Sequence, residues 1–118
     1  MREIATAKQL LQKEQSAIVV FTRGNHFVIN RDRSGSTGNW RIKPNLSSEK
    51  VIIYYRRGKS NDVYTADFVG ITRSSEPDRG VILLRNISPV ATTVSNWFAF
   101  GRSQHPVQFI TYAAEEGE

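Results

Sequence analysis

The sequence predicts a mainly β fold of the α+β kind: a small, partly closed antiparallel β-barrel of six or seven strands with an N-terminal helix. Three observations carry this expectation. Short runs rich in β-branched and aromatic residues recur along the chain, bounded by Gly, Pro, Asn or Ser clusters. One amphipathic segment with a capping signature precedes them. The chain has 118 residues, 39% of them apolar and 23% charged, which suits one core and leaves no room for a second domain. Closure is expected because it removes edges open to aggregation. The domain is expected to span 1–113, with a frayed acidic tail at 114–118.

The helix is expected over 6–15. Thr6 and Gln9 have the spacing of a capping box, and Ile4, Ala7, Leu10 and Leu11 form a short apolar stripe. From Ala17 to Thr22 the pattern becomes that of a strand, and Arg23-Gly24-Asn25 reads as a turn. A short strand is expected over 26–30. The stretch 31–39 reads as a polar loop, and 40–43 as an alternating strand stopped by Pro44. The clearest strand is 51–56, whose unbroken apolar start predicts burial on both faces. A loop over 57–62 leads to a long strand over 63–73, where Gly70 predicts a bulge or bend. A buried strand follows at 81–85. The Ser/Thr-rich stretch 86–96 suits a helical turn after Pro89. Strands over 97–100 and 107–112 close the fold, with alternation placing Phe98 and Phe100 together in the core.

Composition removes several classes of chemistry. There are no cysteines, hence no disulfide, thiolate metal site or cysteine nucleophile. With only His26 and His105, a three-histidine metal site is impossible. No cofactor or metal is expected, and an enzyme is the less favoured answer. No apolar run approaches the ~18 residues of a membrane span. The segment MREIATAKQLLQKEQ lacks the apolar region of a signal peptide. A cytoplasmic protein without a membrane partner is expected.

Charge points the other way, toward a polyanion. The net charge is +5, and eleven of the sixteen basic residues are arginines. Between Phe21 and Lys59 stand nine basic residues and two acids, Asp32 and Glu49. Arginine offers a planar fork that fits phosphate and stacks on rings. Such an excess, interleaved with aromatic residues, is the electrostatic footprint of a nucleic-acid-binding protein. Arg31, Arg33, Arg41, Arg56 and Arg57 are the candidate phosphate contacts. Ser34-Gly35-Ser36-Thr37-Gly38 is a candidate nest of backbone N–H groups for an anion. Trp40 and Trp97 are candidate stacking platforms. Tyr54 and Tyr55 point to opposite faces of their strand, so one is available to a ligand.

Several stretches in order resemble the PUA-like superfamily, in its EVE and YTH-like branch. They are His26-Phe27-Val28-Ile29-Asn30, then Asn39-Trp40, then Glu49-Lys50-Val51-Ile52-Ile53-Tyr54-Tyr55, Ala66-Asp67-Phe68-Val69-Gly70-Ile71-Thr72 and Arg79-Gly80-Val81-Ile82-Leu83-Leu84. Ser48-Glu49-Lys50 stands where such domains have Gly-Asp. The resemblance implies a pseudo-barrel that binds DNA or RNA and holds a modified or flipped base in an aromatic pocket. It implies that Asn30, Trp40 and Tyr55 lie near that pocket and that Trp97 closes it.

Two other classes compete. His26 and His105 could act as the acid–base pair of a small metal-independent endoribonuclease of toxin type. Asp62 and Asp67 lack a third carboxylate at a spacing suited to a metal-dependent nuclease. The other alternative is a protein-interaction or regulatory domain, in which strand edges and Trp97 meet a protein partner.

Overall fold

The computed structural model describes residues 2–12, 15–24, 26–42, 47–57, 61–101 and 104–111. Among the described residues eight strands occur: β1 (Arg2–Glu3), β2 (Ser16–Thr22), β3 (Phe27–Ile29), β4 (Gly35–Trp40), β5 (Lys50–Arg56), β6 (Asn61–Arg73), β7 (Gly80–Thr93) and β8 (Val107–Thr111). One 3-10 turn, Ala7–Leu10, and one short helix, α1 (Trp97–Gly101), accompany them. The strands form one mixed sheet in the order β3-β4-β7-β6-β5-β2-β8, with β1 paired to β7 off this path.

The fold is mainly β, but it is neither a closed barrel nor purely antiparallel. β3 and β8 are left as the two ends of the strand path. β2 and β5 run parallel, as do β1 and β7. Parallel neighbours need a long crossover. Here the β3–β4 hairpin occupies the connection between β2 and β5 and pairs with β7 instead.

The expected helix over 6–15 is a single 3-10 turn. Its start is as the sequence suggests: Gln9 Oε1 accepts the N–H groups of Ala5 and Thr6 at 2.6 and 3.0 Å. It stops because Leu11 turns extended (φ −88°, ψ 141°) and is buried, which draws the chain into the sheet. Residues 13 and 14 lie outside the described residues, as does the tail expected at 114–118.

Two cores sandwich the central strands. Along β2, Ala17 and Val19 face one core and Ile18 and Val20 the other. Along β5, Ile52 and Tyr54 face the first, Val51 and Ile53 the second. This is the period of two expected of a strand. Ile4, Ala7, Leu11 and Phe100 cover the first face. Ile82, Leu84 and Ile87 of β7 cover the second. Each fully buried Ile or Val contributes about 1.5–3 kcal/mol of transfer free energy. The expectation of two-sided burial for 51–56 therefore holds over Val51–Tyr54.

A bend in the β6–β7 hairpin makes the second core. The pairing slips between Val63 and Tyr64, Thr65 and Asp67, and Phe68 and Gly70. Each slip inserts an extra residue, which bends and twists a strand pair. Gly70 thus marks a bulge as expected. Asn86, at φ 57°, sits inside β7 between its two halves. No helical turn follows Pro89; β7 continues to Thr93. Pro89 pairs with Tyr64 and Ala91 with Val63, so Val90 is an extra residue there. A bulge is a place where a missing N–H is tolerated.

Two further expectations are overturned. Residues 35–40 are strand β4, not loop, and β4 ends at Trp40 where a strand over 40–43 was expected. The reversal is compressed into a tight turn: Arg33 N–H donates to the Asn30 carbonyl at 2.9 Å, and Asn30 N–H to the Ser34 carbonyl at 2.8 Å. Arg33 takes φ 69°, the left-handed position of a bulged hairpin turn. Small residues in β4 serve close approach, since a Cβ on Gly35 would lie 1.9 Å from the Val28 carbonyl oxygen. Residues 97–101 are helical, not strand. Asn96 Oδ1 accepts the Ala99 N–H at 2.8 Å and starts the helix. Phe100 is consequently buried while Phe98 is exposed, so the two do not share the core.

Candidate nucleic-acid interface

The parallel pairing of β2 and β5 sets Phe21 beside Tyr54 and Thr22 beside Tyr55. The next residue along the chain is an arginine in each case, Arg23 just after β2 and Arg56 at the end of β5. Both are exposed, and neither has a carboxylate partner among the described residues. Like charges on neighbouring strands repel. Arg57 follows, bound to Asp62 at 3.1 Å and lying over the Tyr55 ring at 5.6 Å. Arg23 lies over the Phe21 ring at 5.9 Å. The C-terminal end of this strand pair is therefore a cationic rim set on aromatic rings.

Tyr54 and Tyr55 do point to opposite faces, and each anchors an aromatic cluster. Tyr54 meets Phe21, Trp97 and Phe100 at 5.6, 5.5 and 5.0 Å between ring centroids. Its hydroxyl donates to the Ser95 carbonyl at 2.6 Å. Burial raises its pKa above the ordinary tyrosine value, opposed in part by the Arg56 charge. Tyr55 meets Phe27 edge-on at 5.8 Å and Tyr64 at 6.3 Å. Burial also raises the Tyr64 pKa, and the Asp62 charge adds to it. Gly24 carries the chain past the Tyr55 hydroxyl, where a Cβ would approach to 2.8 Å, and its φ of +100° suits glycine.

Beside the rim lies a cleft of about 340 Å³, lined by Phe21, Arg23, His26, Trp40, Glu76 and Arg79 among others. Trp40 is half-buried against the second core, and its indole N–H donates to Thr37 Oγ1 at 3.2 Å. The tip of the β6–β7 hairpin brings Glu76 and Arg79 across to the end of β2.

The structure gathers some of the expected site residues and separates others. Tyr55, Arg56 and Arg57 share the rim, and Trp40 lines the adjoining cleft. Arg41 is exposed just after Trp40. Asn30, Arg31 and Arg33 sit at the other end of β4, in the turn before Gly35. Asn30 Nδ2 donates to Ser34 Oγ at 3.1 Å, and Arg33 Nε to the Ile87 carbonyl at 3.0 Å. Both hold the turn. Asp32 Oδ1 accepts from Ser34 N–H and Oγ–H at 3.0 and 2.6 Å, which lowers the Asp32 pKa.

Trp97 packs on the first core and donates its indole N–H to the His105 carbonyl at 3.0 Å. Trp40 packs on the second. Trp97 meets Phe21, at 5.4 Å between ring centroids, and does not itself line the Trp40 cleft.

The anion nest expected over Ser34–Gly38 does not form. Gly35 to Gly38 lie in the β3–β4–β7 ladder, and Gly38 N–H donates to the His26 carbonyl at 3.2 Å. His26 and His105 line different cavities. They do not form an acid–base pair. Asp62 binds Arg57, and Asp67 Oδ2 accepts from Asn86 Nδ2 at 2.6 Å. Among the described residues no group of three His, Asp or Glu is placed to hold a metal ion. No helix among them is long and apolar enough to cross a membrane.

Sequence reasoning missed Arg23, Tyr64, Glu76 and Arg79. Arg23 stands in the basic stretch, but its relation to Arg56 is set by parallel pairing, which leaves no local mark. Comparison with known protein families, with curated proteins and with solved structures finds no match to this chain.

Proposed function

We propose that this protein is a nucleic-acid-binding module. Arg23, Arg56 and Arg57 contact successive phosphates, and a base stacks in the Trp40 cleft beside them. The observation that carries the reading is Arg23 and Arg56, both exposed, each one residue beyond the last pair of the parallel strands, Thr22–Tyr55. Mutual repulsion of this kind is relieved by a bound polyanion. The aromatic rings beneath the rim favour single strands, whose bases are free to stack. A modified or flipped base is the finer form of the proposal, with Trp40 as its platform and Trp97 excluded from it.

The test is a titration with short single-stranded and duplex DNA and RNA at several salt concentrations. Three phosphate contacts to a single strand predict a log–log salt slope near about −2. Absence of binding to every oligonucleotide at low salt refutes the proposal.

A further inference from the structure

We infer that the cleft between Trp40 and Glu76 reads guanine. The inference rests on the nucleic-acid reading above for its phosphate contacts, and it adds the identity of the base. Three features of the cleft lead to it.

The first is size. A volume of about 340 Å³ sits at the lower end of the roughly 300–1,000 Å³ typical of small-molecule sites. It suits one base rather than a stack of them.

The second is the flat wall. Trp40 is held by its own hydrogen bond to Thr37 and by packing against the second core, so the ring is a fixed platform. A base stacks on such a surface whatever its identity. Trp40 therefore supplies affinity without selectivity.

The third feature is Glu76, an acidic residue that lines the same cleft as Arg23 and Arg79. A negative charge repels phosphate, so it does not serve the backbone contacts. It accepts hydrogen bonds and donates none. Its two oxygens match two adjacent N–H donors. Among the natural bases only guanine presents two neighbouring donors on its Watson–Crick edge, N1–H and the N2 amino group. Adenine and cytosine set an acceptor beside their amino group, and uracil and thymine set acceptors on both sides of N3–H. Charge-assisted bonds of this kind are among the stronger polar contacts.

The loop that carries Glu76 is well placed to hold it. Glu76 N–H donates to Ser74 Oγ at 3.1 Å, Arg79 N–H to the Glu76 carbonyl at 3.3 Å, and Ser74 N–H to the Arg79 carbonyl at 3.1 Å. These bonds shape residues 74–79 without using the carboxylate. Arg23, on the same cleft, stands ready for the phosphate of the inserted nucleotide.

The experiment compares labelled single-stranded oligothymidine with the same oligomer carrying one central guanosine, inosine or adenosine. Inosine lacks the N2 amino group and so one of the two donors. Guanosine is expected to bind at least about tenfold tighter than either inosine or adenosine, the effect of one charge-assisted bond. Glu76→Gln is expected to abolish that preference, with oligothymidine affinity equal or higher, because a negative charge near the phosphate contacts is removed. Glu76 is exposed and its backbone bonds do not involve the carboxylate, so this variant retains the fold. Equal binding of all four oligomers overturns the inference and leaves the nucleic-acid reading intact. So does a guanosine preference that survives Glu76→Gln. Guanosine 5′-monophosphate is titrated separately against tryptophan fluorescence. Binding of that nucleotide with no binding of any oligomer refutes the nucleic-acid reading alone. Binding of neither refutes both.

Discussion

Arg33 and Ile87 bond each other twice. Ile87 N–H donates to the Arg33 carbonyl at 2.9 Å, and Arg33 Nε donates to the Ile87 carbonyl at 3.0 Å. The two residues are far apart in sequence. Their bonds tie the β3–β4 turn to β7 just after Asn86, where that strand bends. Both Arg33 and Asn86 adopt positive φ, which costs a non-glycine residue free energy. The reciprocal bonds offset that cost at the turn. An arginine that looks from sequence like a phosphate contact is thus part of the scaffold.

Arg33→Ala should accordingly lower stability by about 1 kcal/mol, the usual net value of one such hydrogen bond. Urea denaturation measures this. Oligonucleotide affinity, corrected for the folded fraction, should stay unchanged. A variant of normal stability with weakened binding would return Arg33 to the interface.

Arg23 and Arg56 should behave in the opposite way. Replacing both with Ala removes two like charges, so thermal stability should hold or rise. The salt slope for single-stranded binding should shrink by about 1.4, or ~0.7 for each phosphate no longer neutralised. Fluorescence anisotropy across a salt series reads the slope. A drop in stability with an unchanged slope would make the pair structural.

The two tryptophans should separate cleanly. Trp97→Ala empties a place among Phe21, Tyr54 and Phe100 and should cost about 3 kcal/mol of stability. Binding by the molecules that remain folded should not change. Trp40→Ala should lower oligonucleotide affinity by about 1–3 kcal/mol, because no base can then stack at that position. Reversed outcomes would exchange the roles assigned to the two faces.

Tyr54 should make the first core sensitive to alkaline pH. Its folded pKa is raised above 10.0, chiefly by burial. The folded protein therefore holds the phenolic proton more tightly than the unfolded chain. This contribution is complete below pH 10.0 and disappears as pH rises through the folded pKa. Tyr54→Phe should lose about 1 kcal/mol near neutral pH, with the bond to the Ser95 carbonyl. It should also flatten the fall in stability above pH 10.0, measured by denaturation across that range. An equally steep fall in the variant would assign the alkaline transition elsewhere.

How far the fold could be read beforehand varies from element to element. Strands β2, β5 and the first part of β6 are legible because their residues alternate between two buried faces. Gly70 is legible as a bulge because only local backbone freedom is involved. β4 is not, since Gly-Ser-Thr-Gly-Asn has the composition of a loop. It becomes a strand because β3 and β7 offer it partners and the close approach at Gly35 needs no side chain. Residues 97–100 alternate like a strand, yet Asn96 caps a helix there that packs Trp97 and Phe100 together on the first core. The rim is half legible: Arg56 and Arg57 follow a clear strand, whereas Arg23 joins them through pairing across the sheet.

The amino-acid sequence by itself determined a mainly β fold, its basic excess with arginines among aromatics, the absence of cysteine chemistry, and most strand positions. These depend on residue type and on spacing over a few positions, which the chain carries locally. The tertiary structure alone decided that β2 and β5 are parallel, that Arg23 and Arg56 follow paired residues, that Glu76 lines the Trp40 cleft, and that Trp97 packs on the first core. Those outcomes depend on contacts between distant segments. Several pairings satisfy the same local patterns, and the choice among them is made by the burial of both faces of the sheet at once.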